Sequence, residues 1–374
     1  MHSNPTSDRP GTLRTLQLGR AIAAVLVVLH HNGNSIFAVD RYWGRDLLHG
    51  LFDFGSAGVE FFFVLSGFII FHVHWRDLGQ PGRFLSYARK RFLRIYPIYW
   101  LVLLPLALAY LRNPAAGPDQ ALDPALLYSS ILLVHFNYDY AFSILPVAWT
   151  LYHEILFYVV FAVLIFSRRI GLALLAAWLA ASLVMLVPGL VARFDPLFLW
   201  MALFYFSPMH ILFALGMGVC WIIHRGRVPA PWLLAVGGAL LFLATGLEFD
   251  YLQLLTPNVR TLLYGLGSAL ALAGAVELER QGRVAVPRFA QLVGDASYSI
   301  YLIHLPTLSI LAKLLTRPGL KESIPIGLAY VLLPGLAIGT GILLHLWVEK
   351  PMLARLNALF SPKASRNSGA ATVK

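Results

Sequence analysis

The sequence has few charged residues and almost no cysteine. Soluble proteins usually carry more charge, and small secreted proteins usually carry more cysteine. Only 13% of its 374 residues are charged, whereas 58% are hydrophobic and the mean hydropathy is +0.70. This composition excludes the water-soluble globular classes and predicts a polytopic membrane protein. A single cysteine, Cys220, excludes a disulfide framework and zinc sites built from several cysteines, so no metal is predicted.

Long apolar runs fill most of the chain. Crossing a hydrocarbon layer of about 30 Å takes about 20 helical residues, and ten runs approach that length: 13–31, 52–73, 95–111, 147–166, 170–188, 200–223, 231–247, 260–278, 292–312 and 324–347. We therefore predict an all-α fold with about ten transmembrane helices over 13–360, a cytoplasmic segment 1–12 and a disordered tail 361–374. The shorter run Ala125–Phe136 predicts an interfacial or re-entrant segment.

The basic residues indicate the orientation. With ten spans and a cytoplasmic N-terminus, 20 Lys and Arg residues lie on the inner side and 8 on the outer side. Cytoplasmic loops carry such an excess of positive charge, so both termini are predicted to be cytoplasmic. This asymmetry accounts for the basic residues without a nucleic-acid partner.

The first apolar run contains ionisable residues at both ends. A charged side chain at the centre of a span costs roughly 2.5–3.5 kcal/mol, so each one is a functional candidate. Arg20 and His31 are eleven residues apart, which on a helix places them within about 20° of one another and about 16 Å apart in height, whereas His30 points about 80° away from Arg20. The alternative is that Arg20 reaches the cytoplasmic interface and the histidines end the helix.

The second run, "GVEFFFVLSGFII", places Glu60 and the pair Ser66 and Gly67 among aromatic residues. The two small residues favour close helix packing. Glu60 needs a cationic or hydrogen-bonding partner, which the sequence does not identify.

The fourth run contains "AWTLYHEILFY", in which Thr150 and Tyr158 lie four residues on either side of Glu154 and share its helix face. A buried carboxylate flanked by hydroxyl groups can act as a general base or orient a histidine that does. The alternative is a structural ion pair with His153 or Arg20.

The segment "YARKRFLRIYPIYW" holds Arg89, Lys90, Arg91 and Arg94 at a predicted cytoplasmic boundary. Such residues commonly set topology and contact anionic lipid. Because Arg91 and Arg94 lie three residues apart on one helix face and arginine forks match phosphate oxygens, they are also candidates for a phosphate clamp.

Six motifs in order resemble the acyltransferase family 3 of bacterial membrane proteins, and within it the exopolysaccharide O-acetyltransferases. They are the Arg20 to His31 spacing, "GVEFFFVLSGF", the Arg91 and Arg94 pair before "IYPIYW", "WTLYHEILFY", "LVGDASYSIYLIH" and "VEKP". The resemblance runs from Leu16 to about Pro351. The family often has Asp where Glu60 stands, a change that keeps the charge, and the common start "DGLR" is here "LQLGR", which bears on the acceptor.

The resemblance implies transfer of an acyl group, usually acetyl, from cytoplasmic acyl-CoA to a hydroxyl of an extracytoplasmic or lipid-linked glycan, in a multi-pass protein of the bacterial inner membrane. His31 would be the catalytic base. From the residues themselves we expect Glu154 to orient His31 or to pair with its charge, and Arg20, about 16 Å away along the helix, to line the path of the donor. The donor would be bound by Arg91, Arg94 and Lys90. Further candidates within the motifs are Glu60, Ser66, Trp149, Tyr301 and His304.

Two other classes of protein fit the composition: a secondary transporter and an export or assembly partner of polysaccharide synthesis. Transporters often carry inverted repeats around a midplane site, and no such repeat is visible in the sequence. A scaffold needs neither an aligned arginine and histidine nor a buried glutamate. Turnover of acetyl-CoA by the purified protein discriminates the enzyme from both.

Overall fold

Helices make up the fold. The structure is a computed structural model that describes residues 13–113, 123–135, 143–187, 189 and 196–360, and no strand occurs within these ranges. The helices are α1 Arg14–His31, α2 Gly58–His74, α3 Phe84–Arg112, α4 Pro124–Leu132, α5 Trp149–Phe166, α6 Arg168–Val184, α7 Pro196–Tyr205, α8 Met209–Arg225, α9 Pro231–Leu247, α10 Pro257–Arg280, α11 Arg288–Asp295, α12 Ser297–Leu315, α13 Leu320–Ser323, α14 Ile326–Leu344 and α15 Lys350–Phe360.

Eight helical stretches within the described residues are long and apolar enough to cross a membrane. They are Asp53–Asp77, Pro81–Arg112, Pro146–Phe166, Met201–Arg225, Pro231–Leu252, Pro257–Arg280, Ser297–Leu315 and Ile326–Phe360. The predicted all-helical polytopic membrane fold is thereby confirmed. The first and fifth predicted spans are not among these eight. They correspond to α1, whose 18 residues include two arginines and two histidines, and to α6, which has 17 residues. Ten crossings and cytoplasmic termini stay predictions.

Three helix boundaries differ from the apolar runs. Helix α3 begins at Phe84, well before the predicted start at residue 95, because polar residues can extend a helix beyond its apolar part. The sixth run is divided between α7 and α8 near Pro208, whose ring nitrogen has no proton to donate to a helical bond. The ninth run is divided between α11 and α12 near Ala296.

The short fourth helix covers most of the apolar run 125–136, of which residue 136 lies outside the described residues. Helix α4 has nine residues, which span only about 14 Å. Its first turn is capped by Asp123, whose side chain accepts a hydrogen bond of 2.7 Å from the backbone nitrogen of Ala125. Its interfacial or re-entrant location stays a prediction, and the predicted segment 1–12 and tail 361–374 lie outside the described residues.

Glycines allow α2 to approach its neighbours closely. A Cβ atom at Gly67 would lie 2.0 Å from the carbonyl oxygen of Phe213 in α8, and one at Gly216 would lie 1.9 Å from that of Val64 in α2. On another side of α2, a Cβ atom at Gly58 would lie 2.5 Å from the carbonyl oxygen of Ala23 in α1. The predicted packing role is therefore met by Gly67, and α2 is fixed between α1 and α8.

Candidate active site

A cavity of about 420 Å³ lies among α1, α2, α3, α5, α12 and α15. Seven of the predicted site residues line it: Arg20, Ser66, Lys90, Arg91, Arg94, Glu154 and Tyr301. The other four, His31, Glu60, Trp149 and His304, lie outside its lining. The fold thus brings together most of the predicted set from five helices that are distant in sequence.

Glu154 joins α5 to α2 inside this cavity. Its Oε1 atom accepts hydrogen bonds from the hydroxyl of Tyr158 at 2.5 Å and from Oγ of Ser66 at 3.0 Å. The predicted helix face of Thr150, Glu154 and Tyr158 therefore lines one wall. Ser66 bonds to this carboxylate, while the next residue, Gly67, makes the close helix contact.

Two of the cavity's arginines are held by partners on other helices. The Nε atom of Arg20 donates to Oγ of Ser297 at 3.1 Å. Arg94 pairs through Nη1 with Oε1 of Glu349 at 2.8 Å, and the Glu349 side chain is fully buried. The other Glu349 oxygen accepts from Ser299 at 2.7 Å and lies 2.8 Å from Nδ1 of His345.

Glu349 is a site residue that sequence reasoning missed. It belongs to the "VEKP" motif and follows the last apolar run, which is the signal that could have identified it. A π-helical segment, His345–Glu349, joins α14 to α15 and places His345 and Glu349 beside each other. This carboxylate fixes Arg94 at the cavity wall.

Arg91 differs from Arg94 in that its guanidinium has an unused donor. The Nε atom of Arg91 is buried and has no hydrogen-bond partner among the described residues. Its Cζ atom lies 5.8 Å from the ring centroid of Tyr158. A buried unpaired donor is costly, so this arginine is suited to bind an anion that enters the cavity.

His31 contacts another histidine rather than Glu154. Its Nδ1 atom lies 2.9 Å from the carbonyl oxygen of Val27 and 3.3 Å from Nε2 of His304. The predicted pairing of Glu154 with His31 is therefore replaced by a pairing with His304. His30 lies to one side, with its Nδ1 atom 3.2 Å from the amide nitrogen of Asn34.

Backbone carbonyls indicate the tautomers of this histidine pair. Nδ1 of His304 faces the carbonyl oxygens of Tyr301 at 2.7 Å and Ile300 at 3.3 Å, and carbonyl oxygens only accept. Neutral His304 therefore carries its proton on Nδ1 and accepts through Nε2. His31 then donates from Nδ1, which leaves its Nε2 atom with a lone pair that can take a proton.

Tyr301 lies between the cavity and the histidine pair. Its hydroxyl donates to the carbonyl oxygen of Val147 at 2.9 Å and lies 2.9 Å from Oγ1 of Thr150. Its ring centroid is 5.8 Å from that of His304 and 6.1 Å from that of Phe62. Tyr301 and Phe62 both line the cavity, and the Tyr301 ring also faces His304, the partner of His31.

Glu60 and Trp149 make contacts away from the cavity. The carboxylate of Glu60 accepts a long hydrogen bond of 3.5 Å from Thr261 in α10. The Trp149 ring packs edge-on against His153, with centroids 5.9 Å apart. Glu60 therefore connects α2 to α10, and Trp149 packs against a residue of its own helix, α5.

The chain matches, over residues 13–346, a family model described as an acyltransferase domain. This range holds the cavity's α1, α2, α3, α5 and α12. The chain belongs to this acyltransferase family. The acyltransferase is 35% identical, over 312 residues, to the exopolysaccharide production protein ExoZ of Rhizobium meliloti (strain 1021), and the match covers 81% of the chain and 91% of that relative.

A second relative is more distant. The acyltransferase is 26% identical over 162 residues to protein 2 in the picA locus of Rhizobium radiobacter, which covers 38% of the chain and 77% of that protein. No solved structure matches the chain. Family membership confirms the predicted enzyme class, an O-acyltransferase in a multi-pass membrane protein.

Proposed function

We propose that this acyltransferase moves an acetyl group from acetyl-CoA to a hydroxyl of an extracytoplasmic or lipid-linked polysaccharide, in the bacterial inner membrane. The observation that carries the proposal is the cavity that gathers Arg20, Lys90, Arg91 and Arg94. The similarity to an exopolysaccharide production protein supports the class of acceptor.

The charge of the cavity favours an anionic donor. Among the described residues, four cationic side chains line the cavity and one carboxylate, that of Glu154, opposes them. Nε of Arg91 has no hydrogen-bond partner within the part of the chain that the structure describes, whereas Arg94 shares its charge with Glu349. The phosphates of coenzyme A would bind to Arg91, Arg94 and Lys90, and Arg20 would line the path of the thioester arm.

His31 is proposed as the base. A sugar hydroxyl is a poor nucleophile at neutral pH, and histidine is the side chain whose ordinary pKa suits its activation. Nε2 of His31 would take the hydroxyl proton while Nδ1 donates to Val27 and His304. His304 would act as a positioning residue that fixes the tautomer of the base.

The proposed reaction balances without a metal or redox group. The sugar oxygen bonds to the thioester carbonyl carbon, the carbon–sulfur bond breaks, and the leaving thiolate of coenzyme A receives the proton held by His31. For direct transfer, the thioester must pass Tyr301, which lies beside His304, to reach the base. Glu154, bonded to Ser66 and Tyr158, would orient groups in the cavity.

The purified full chain in proteoliposomes tests this function. Radiolabelled acetyl-CoA and an unacetylated polysaccharide, or its lipid-linked precursor, should yield an alkali-labile acetyl ester. A His31→Ala variant should yield none at equal protein level. Direct use of acetyl-CoA would be contradicted if the acceptor receives no label in vitro although cells with this gene acetylate the same polysaccharide. The function as a whole would be contradicted if cells lacking the gene acetylate the polysaccharide normally.

A further inference from the structure

Three side chains of types that can bind a metal lie close together outside the cavity, near the C-terminal ends of α2 and α8. They are His72 of α2 and Cys220 and His224 of α8, and one ligand atom from each lies within 4.8 Å of the other two. The Sγ atom of Cys220 is 3.3 Å from Nδ1 of His224, and the two imidazole centroids are 5.2 Å apart. The reaction proposed above uses none of these three residues.

We infer that His72, Cys220 and His224 form a binding site for a Zn²⁺ ion that links α2 to α8. One thiolate and two imidazoles are ligands that zinc prefers in proteins, and a water molecule can complete four-coordination. Neighbouring ligand atoms around tetrahedral zinc lie roughly 3.3–3.6 Å apart, given Zn–N and Zn–S bonds of about 2.0 and 2.3 Å. The three ligand atoms lie within 4.8 Å of one another, so movements of about 1 Å would bring the side chains to this spacing.

The local helix geometry supplies the ligands from fixed positions. Cys220 and His224 are four residues apart and therefore lie on the same face of α8. The backbone contacts of Gly67 and Gly216 hold α2 and α8 close together just before the three ligands. This packing limits how far the ligands can separate, which favours a metal site that is organised before the ion binds.

Burial and unused bonding capacity also favour a ligand. Cys220 is fully buried, and Nδ1 of His72 is a buried nitrogen with no hydrogen-bond partner among the described residues. Nδ1 of the exposed His224 donates to the carbonyl oxygen of Cys220 at 2.8 Å, so zinc bound through this nitrogen would replace that hydrogen bond. A single cysteine excludes zinc sites that need several thiolates, but it does not exclude one completed by histidines from two helices.

Zinc at this position would stabilise one wall of the cavity. Helix α2 contributes Ser66 and Ile69 to that wall, and α8 supports it from behind. Binding would release the thiol proton of Cys220 as the zinc–sulfur bond forms, so the affinity should rise with pH. The effect would be on stability, since the ion would lie outside the proposed reaction path.

Metal binding can be measured without donor or acceptor. The full chain, purified in detergent without a polyhistidine tag and stripped with chelator, should bind one Zn²⁺ in competition with a chromophoric chelator. Co²⁺ in its place should give the near-ultraviolet charge-transfer band of a cobalt–thiolate bond. Cys220→Ser should remove that band, and His72→Ala or His224→Ala should each weaken Zn²⁺ binding at least tenfold.

His74→Asn is the matched control, because His74 lies two residues further along α2 and its Nδ1 bonds to Asp77 at 2.8 Å. It should bind Zn²⁺ as tightly as the unmodified chain. The unmodified chain alone decides the main point, whatever the variants do to folding. Failure of the unmodified chain to take up one Zn²⁺ from the chelator, or a Co²⁺ complex of that chain without the thiolate band, would overturn the site.

Discussion

The Nδ1 atom of His31 lies 3.3 Å from the Nε2 atom of His304, although the two residues are 273 positions apart in the chain. The backbone carbonyls beside His304 set its tautomer, and His304 in turn faces the donating nitrogen of His31. This relationship leaves the other nitrogen of His31 as the acceptor of a proton.

The two adjacent histidines of α1 should differ in function. His31→Ala should abolish acetyl transfer, because it removes the proposed base, and His30→Ala should retain most of it, because His30 contacts Asn34 instead. Acetyl esters on the polysaccharide, quantified by NMR at matched protein levels, give the measurement. Activity in His31→Ala together with loss in His30→Ala would reverse the assignment.

His304 should affect the rate more than donor binding. A His304→Ala variant removes the acceptor that orients His31, and we expect kcat to fall by about one to two orders of magnitude while the KM for acetyl-CoA changes little. Steady-state kinetics over a range of donor concentrations separate the two quantities. A rise in the KM for acetyl-CoA by one to two orders of magnitude, with kcat unchanged, would place His304 in donor binding instead.

Arg91 should contribute to donor affinity with little effect on stability. Its Nε atom has no hydrogen-bond partner among the described residues, so Arg91→Ala should raise the KM for acetyl-CoA by about tenfold or more. Thermal unfolding should change little, because the contact with the Tyr158 ring is the described interaction that is lost. Arg91→Lys should recover the affinity only in part, because lysine lacks the planar fork. An unchanged KM in an Arg91→Ala, Arg94→Ala double variant would return both residues to a role in topology.

Arg94 should affect stability as well as donor binding. Arg94→Ala leaves the fully buried Glu349 with Ser299 and His345 as its partners, and we expect a loss of about 1–3 kcal/mol, less than for a fully buried pair because the Arg94 side chain is 31% exposed. Adding Glu349→Gln should restore much of the thermal stability while the KM for acetyl-CoA stays high. If the double variant recovers a normal KM, Arg94 supports the fold alone.

Two glycines of α8 provide a matched test of helix packing. Gly216→Ala would place a Cβ atom 1.9 Å from the carbonyl oxygen of Val64, whereas a Cβ atom at Gly218 would have no neighbour within 4 Å. We expect Gly216→Ala to destabilise the protein by about 1–3 kcal/mol and to lower the unfolding temperature in detergent. Gly218→Ala should leave it unchanged, and equal effects would contradict the close α2 to α8 contact.

The sequence by itself determined the class of fold and most of the candidate residues. Run length and scarcity of charge predict membrane helices because the hydrocarbon layer admits few other structures. Helix periodicity also placed Thr150, Glu154 and Tyr158 on one face, and all three line the cavity. The spacing of Arg91 and Arg94 likewise predicted that both would reach the same site.

Only the tertiary structure decided which faces meet. Periodicity fixes the direction of a side chain about its own helix axis, but it contains no information about the helix that packs against that face. The partner of His31 is therefore His304 rather than Glu154, and the partner of Arg94 is Glu349, 255 residues away. Close approach of backbones at Gly67 and Gly216, a three-dimensional property, likewise brings His72 to Cys220 and His224.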